Sequence, residues 1–168
     1  MLGFYENFPH GIHFTQTFTS PLSKRKLQEK IIQAFQEANH KTFSFEEAGN
    51  PTIPNCEVIF EFGIADAENF SYLDEEEAKK LREALGGEEP LLLMDWFCSI
   101  RYYKNPNGKR TPLKFDYYMV RMVFGEKGTV EFLVFHERGP RYISPEDLVV
   151  FVEQKINAPK KILKRARV

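Results

Sequence analysis

The sequence predicts an α+β domain: one curved antiparallel sheet in β-α-β(4-5)-α order, with two long helices packed on one face. Three observations carry this reading. Several stretches alternate apolar and polar residues with a period of two, the pattern of a half-buried strand. Two stretches open on Ser-Pro and continue with apolar residues at helical spacing. Three successive alternating stretches are joined by turns too short for a crossover, which makes them antiparallel neighbours. The 168 residues and the 42% hydrophobic content suit a single domain with a full core.

In chain order, His10 to Thr19 alternates, with Ile12, Phe14 and Phe18 on one side and His13, Thr15, Thr17 and Thr19 on the other. Ser20-Pro21 then reads as a helix start, because serine accepts from the free N–H groups and proline fits the first turn. Leu27, Ile31, Ala34, Phe35 and Ala38 form the apolar stripe of that helix, which should end near Asn39 or His40. Thr42 to Glu46 reads as a short strand, and Gly49 to Asn55 is a turn-rich break. Cys56 to Ile64 is a strand with Val58, Phe60, Phe62 and Ile64 inward. Asp74 to Glu77 places acid at the positive end of a short, polar surface helix that stops at Gly86-Gly87.

Leu91 to Lys104, Leu113 to Phe124 and Thr129 to His136 follow as a meander, turning at Asn105-Pro106-Asn107-Gly108 and at Gly125 to Gly128. Ser144-Pro145 starts the second long helix, with Leu148, Phe151, Val152 and Ile156 as its stripe and Pro159 at its end. Residues 160–168 carry five cations and no acid, and read as a basic C-terminal tail or helix end.

This element order resembles the TATA-box-binding-protein-like arrangement and its helix-grip relatives, in which a curved sheet carries helices on one face and leaves the other free. The composition, with 19 Glu, 14 Lys, 5 Gln and 2 Cys, is similar to that of uncharacterised small proteins of hyperthermophilic archaea. Ion-pair networks become more useful at high temperature, which favours such a thermophilic composition.

Composition also excludes function classes. Lys+Arg number 23 and Asp+Glu 24, so no global field steers an anionic partner. Two cysteines cannot form a disulfide scaffold or a cysteine-rich zinc module. His10, His13, His40, His136, Cys56 and Cys98 contain no CxxC or HxxxH spacing, so no metal is expected. Cys98 lies mid-strand in Trp96-Phe97-Cys98-Ser99-Ile100, the context of a packing thiol and not of a nucleophile. No glycine-rich phosphate loop occurs, so no cofactor is expected. No carboxylate pair stands out, and with no catalytic constellation legible an enzyme is not the expectation. The N-terminus lacks a basic, apolar leader, no apolar run could span a bilayer, and a cytoplasmic protein is expected.

The remaining signal is aromatic: 16 Phe, 7 Tyr and 1 Trp. Alternation assigns Phe14, Phe18, Phe35, Phe60, Phe62, Trp96 and Phe151 to core stripes. Phe97, Tyr103, Phe115, Tyr117 and Phe132 are read on the opposite face, among Glu61, Asp95, Arg101, Arg121 and His136. That mixed face predicts a binding domain without catalysis, open to a small, partly apolar ligand or a protein partner. Arg101, Tyr103, Tyr117, Arg121 and His136 are the candidate ligand residues, and a monomer or homodimer is expected. The alternative is a nucleic-acid-associated protein using the cationic residues 160–168. The acids in the same strands and the near-neutral charge disfavour it.

Overall fold

The computed structural model describes residues 1–49, 56–87, 89–104, 109 and 111–166. Among them the order is β1 (Phe14–Thr19), α1 (Lys24–Ala38), β2 (Thr42–Ser44), α2 (Phe45–Ala48), β3 (Cys56–Asp66), β4 (Asn69–Tyr72), α3 (Glu75–Leu85), β5 (Leu93–Lys104), β6 (Thr111–Phe124), β7 (Thr129–Arg138), α4 (Pro145–Ile156) and β8 (Lys164–Arg165). The eight strands form one open antiparallel sheet in the order β2-β3-β5-β6-β7-β1-β8, with β4 beside β3. The expected turn at Asn105–Gly108 and most of the break at 49–55 lie outside the described residues. No helix is long and apolar enough to cross a membrane among the described residues.

One face of the sheet carries the helices. Val58, Phe60 and Phe62 of β3 and Met94, Trp96, Cys98, Ile100 and Tyr102 of β5 point into this core, as do Val120 and Met122 of β6 and Val130, Phe132 and Val134 of β7. From the helices, Ile31, Ile32 and Phe35 of α1 meet them, with Leu148, Phe151 and Val152 of α4. Ring contacts join the layers. Phe35 stacks on Phe62 at 4.1 Å and meets Trp96 edge-on at 4.6 Å, and Phe60 stacks on Phe151 at 4.2 Å. Much of the aromatic surplus is therefore core packing, where such pairs add about 0.5–1.5 kcal/mol beyond area burial. Gln28, buried on α1, exchanges two hydrogen bonds with the backbone of Leu91 (2.7 and 3.1 Å) and ties the helix to the entry of β5.

Five local features differ from the sequence expectation. The strand read over Thr42 to Glu46 ends at Ser44, because Phe45–Ala48 closes into the short helix α2, with Gly49 N–H donating to Phe45 O and Phe45 and Ala48 buried. α1 begins after Ser23, whose hydroxyl accepts from Lys26 N–H at 3.2 Å. Ser20 instead holds a turn through Leu22 N–H. β4 was not expected. Ala67, at φ +57°, reverses the chain and lets Asn69–Tyr72 fold back on β3. Residues 160–166 form neither a helix end nor a free tail. The Asn157 side chain accepts from Ile162 and Leu163 N–H (2.8 and 2.6 Å), Leu163 is buried, and Lys164–Arg165 pair with Phe18 and Thr19. Finally, residues 1–8 cross the face opposite the helices, bridging Leu2 to Asp66 and Tyr5 to Ala67.

Candidate binding face

The face away from the helices is covered at one end. Gly3, at φ +87°, donates to Ala65 O (2.6 Å) and accepts from Asp95 N–H (2.7 Å), which lays the N-terminal segment across β3 and β5. Asp95 is fully buried beneath it and receives a bidentate pair from Arg121, Nε to Oδ1 at 2.7 Å and Nη2 to Oδ2 at 2.8 Å. Tyr5 N–H adds a third donor to the same carboxylate at 2.7 Å. The Arg121 guanidinium lies 4.4 Å from the centre of the Phe8 ring and 5.5 Å from that of Phe4. Arg121, a candidate ligand residue, is thus occupied in fastening the chain's own N-terminus.

Beyond the strap an aromatic row continues across the strands. Ring centroids run Tyr5–Phe70 4.7 Å, Phe70–Phe97 5.5 Å, Phe97–Tyr117 5.8 Å and Tyr117–Phe115 6.2 Å. The row goes from covered to open: Phe97 and Tyr117 are half-buried, whereas Phe115 is 43% exposed and Leu113 38%. Arg101 and Tyr103 flank it on β5. Arg101 donates to Glu61, which also faces His40 Nε2 at 3.3 Å. Hydrogen bonding to Tyr103 and the nearby Glu61 hold the Arg101 guanidinium above its ordinary pKa against desolvation.

At its open end the row borders a groove of about 640 Å³, lined by Leu113, Lys114, Phe115, Tyr117, Arg138, Gly139 and Pro140. Two backbone irregularities make it. A bulge in β7 pairs Tyr117 with Arg138 while Tyr118 pairs with His136, so Glu137 is the extra residue. The bulge shifts the side-chain alternation by one, and the Arg138 guanidinium lies 4.3 Å from the centre of the Tyr117 ring. Then Gly139, at φ +113°, turns the chain away, leaving β6 to run on past the end of β7. A Cβ at Gly139 would sit 2.3 Å from Phe115 O, so only glycine fits there.

Beneath the groove, on the helix side, Asp116 is fully buried and organises the segment that follows β7. Its carboxylate accepts from Tyr102 O–H (2.5 Å), Arg141 N–H (2.7 Å) and Tyr142 N–H (2.9 Å), and contacts His136 Nε2 at 2.8 Å. Tyr118 O–H donates to Ile143 O, and Ile143 N–H donates to the Tyr102 hydroxyl at 3.2 Å. Burial foremost, with the Asp116 charge, pushes both tyrosine hydroxyls well above their ordinary pKa, so neither is poised to move a proton near neutrality. Burial likewise raises the Cys98 thiol, which lies wholly inside. No group of three His, Cys, Asp or Glu is placed to hold a metal ion among the described residues.

The five candidate residues therefore separate into three groups. Arg101, Tyr103 and Tyr117 share the open face. Arg121 shares it but lies under the strap. His136 lies on the opposite, helix-facing side, because its alternation follows Val130, Phe132 and Val134 into the core. Phe132 belongs to that core too. Residues not foreseen are Phe70, Leu113, Arg138, Gly139 and Pro140. The Gly-Pro dipeptide directly after a strand was the available signal, since it marks a forced turn.

His13, an exposed residue, adds a weakly perturbed titratable contact beside the same segment. Its Nδ1 accepts from His136 N–H at 2.9 Å and its ring stacks on Phe135 at 5.0 Å. Desolvation first, then Arg141 and His136, lower its pKa below the usual histidine value. A lowered histidine pKa means that the folded state binds fewer protons than the unfolded chain. The stabilising contribution is complete above about pH 6.5 and is lost as pH falls through the folded value. Because the group is exposed, its share is small: melting temperature should fall slightly between pH 7.5 and pH 5, and His13→Ala should make that profile flatter. An unchanged profile would show the contact to be inert.

Comparison with protein-family models, curated proteins and solved structures returns no match.

Proposed function

We propose that the chain is a binding domain without a catalytic step, and that the open end of its aromatic face takes a small, partly apolar ligand carrying a negative charge. The observation that carries this reading is the row Phe97–Tyr117–Phe115. It emerges from under the N-terminal strap and ends in half-exposed rings with Arg138 across Tyr117. A monomer gains nothing by leaving Phe115 and Leu113 side by side in water, and adjacent exposed apolar groups rimmed by polar ones favour a bound partner. The groove is shallow and open, with room of about 640 Å³ above the rings. Arg138 and Lys114 supply cations at the rim, while Arg101 is already neutralised by Glu61. A flat apolar body would stack on the rings and its anionic group would meet Arg138.

The probe 8-anilinonaphthalene-1-sulfonate has this chemistry. Its fluorescence should rise on titration with the native protein. Tyr117→Ala should weaken binding about tenfold, equivalent to ~1.4 kcal/mol. Arg138→Gln should weaken it and reduce its dependence on salt. Equal binding by the wild type and both variants would reject the reading.

A further inference from the structure

At the other end of the sheet, two basic runs far apart in sequence meet on one surface. Lys26 and Lys30 lie on α1. Lys160 and Lys161 lie on the segment leading into β8, and Lys164 opens that strand. Lys30 Nζ donates to Ala158 O at 2.9 Å and joins the two. Two grooves of about 560 Å³ each share Ile162. One is lined by Leu22, Lys26, Glu29, Lys30, Gln33 and Arg82, the other by Thr19, Ser20, Pro21 and Lys161 to Lys164. Among the described residues, Glu29 is the one acid lining either groove. Among the described residues Lys26, Lys160, Lys161 and Lys164 have no ion-pair partner, and all four are exposed.

We propose that this surface binds the phosphate backbone of a nucleic-acid duplex without reading its sequence. Charge complementarity sets the class of partner, since unpaired cations on a chain of net charge −1 form a local positive field. Residue type narrows it. Protein interfaces are depleted in lysine and rely on buried aromatic or arginine anchors, and neither groove is lined by an aromatic residue. The same lack leaves no platform on which single-stranded bases could stack. Solvated ammonium groups on long stems suit phosphates, which position a protein on a duplex but specify no sequence. The lysines are also held in place. Asn157 accepts from two backbone N–H groups, Leu163 is buried, and Lys164 pairs with Thr19 in the sheet. This surface is separate from the aromatic groove and stands or falls independently of it.

The test is fluorescence anisotropy with a labelled mixed-sequence DNA duplex of roughly 24 base pairs, titrated over a range of salt. Binding should appear at low salt, and log affinity should fall linearly with log salt at a slope near −3 to −4, as about four phosphate contacts require. The combined variant Lys26→Glu, Lys161→Glu, Lys164→Glu should lose at least about tenfold in affinity and flatten that slope. These side chains are exposed, and the corresponding glutamine variant gives the same comparison if charge reversal impairs folding. Arg138→Gln should bind the duplex like the wild type. No binding at low salt, unchanged binding by both lysine variants, or binding to anionic phosphatidylserine vesicles in place of the duplex would overturn the proposal.

Discussion

Asp116→Asn should destabilise the protein by about 3–5 kcal/mol, read as a lower denaturant midpoint with the slope of the transition kept. The magnitude follows from what the carboxylate does. Fully buried, it faces the Tyr102 hydroxyl, two backbone N–H groups and His136. An asparagine of the same shape keeps one acceptor oxygen and turns an NH2 group towards donors, so at least one buried donor loses its partner and another is opposed. The damage should also be specific in place. Arg141 and Tyr142 are held by this one side chain, so residues 139–143 should lose protection from amide exchange first, and the groove wall at Gly139 and Pro140 should loosen with them. Retention of wild-type stability and exchange in Asp116→Asn would show the cluster to be incidental.

The second large effect is expected at the other buried carboxylate. Arg121→Met should cost about 3–5 kcal/mol, because it leaves the Asp95 carboxyl fully buried and without its bidentate partner. Removing both charges should be much milder. Asp95→Leu with Arg121→Met gives up the Coulomb attraction and also the desolvation penalty, and a double-mutant cycle should return a coupling of a few kcal/mol. The pair has a second consequence through Tyr5, whose N–H donates to Asp95 and whose C=O accepts from Arg121 Nη2 at 3.3 Å. Without the pair, Tyr5 and its neighbours should lose exchange protection first, ahead of Gly3 and Glu6, which keep backbone bonds to Ala65 and Ala67, and the covered half of the aromatic face should become more accessible. Equal stability of Arg121→Met and the double variant would contradict this account.

How much of this was legible in the sequence depended on which physical rule set each feature. Alternation fixes the side of a strand on which a residue lies, so Met94, Trp96, Cys98 and Ile100 of β5 separate onto the core side from Asp95, Phe97, Ser99, Arg101 and Tyr103, while Leu92, expected with the first set, precedes the strand and is exposed, and Asp95 and Ser99 are buried although they lie on the second face. His136 was open to the same rule. Its alternation places it with Val130 and Val134, and its polarity alone drew it towards the mixed face. A polar residue on a core stripe signals a buried hydrogen-bonded partner, here Asp116, itself on the core side of β6. The bulge at Glu137 inverted the rule and hid Arg138, since an extra residue in one strand cannot be inferred from that strand's own pattern. The N-terminal strap has no periodicity. Backbone hydrogen bonds, the Arg121–Asp95 pair beneath it and the pairing of its terminal amine with Asp66 hold it, and all depend on chain packing far away in sequence. The basic residues of the C-terminal segment were plain as composition, but their meeting with Lys26 and Lys30 required the β1–β8 pairing to be seen.

We propose above that the exposed end of the aromatic row binds a partly apolar anion. The most direct measurement is an amide and methyl NMR titration of the full chain with 8-anilinonaphthalene-1-sulfonate. Saturable shifts confined to Leu113, Phe115, Tyr117, Arg138 and Gly139, and absent in Tyr117→Ala, are the result expected. Shifts that instead fall at Lys26, Ile162 and Lys164, or that spread over the chain without saturating, would contradict it.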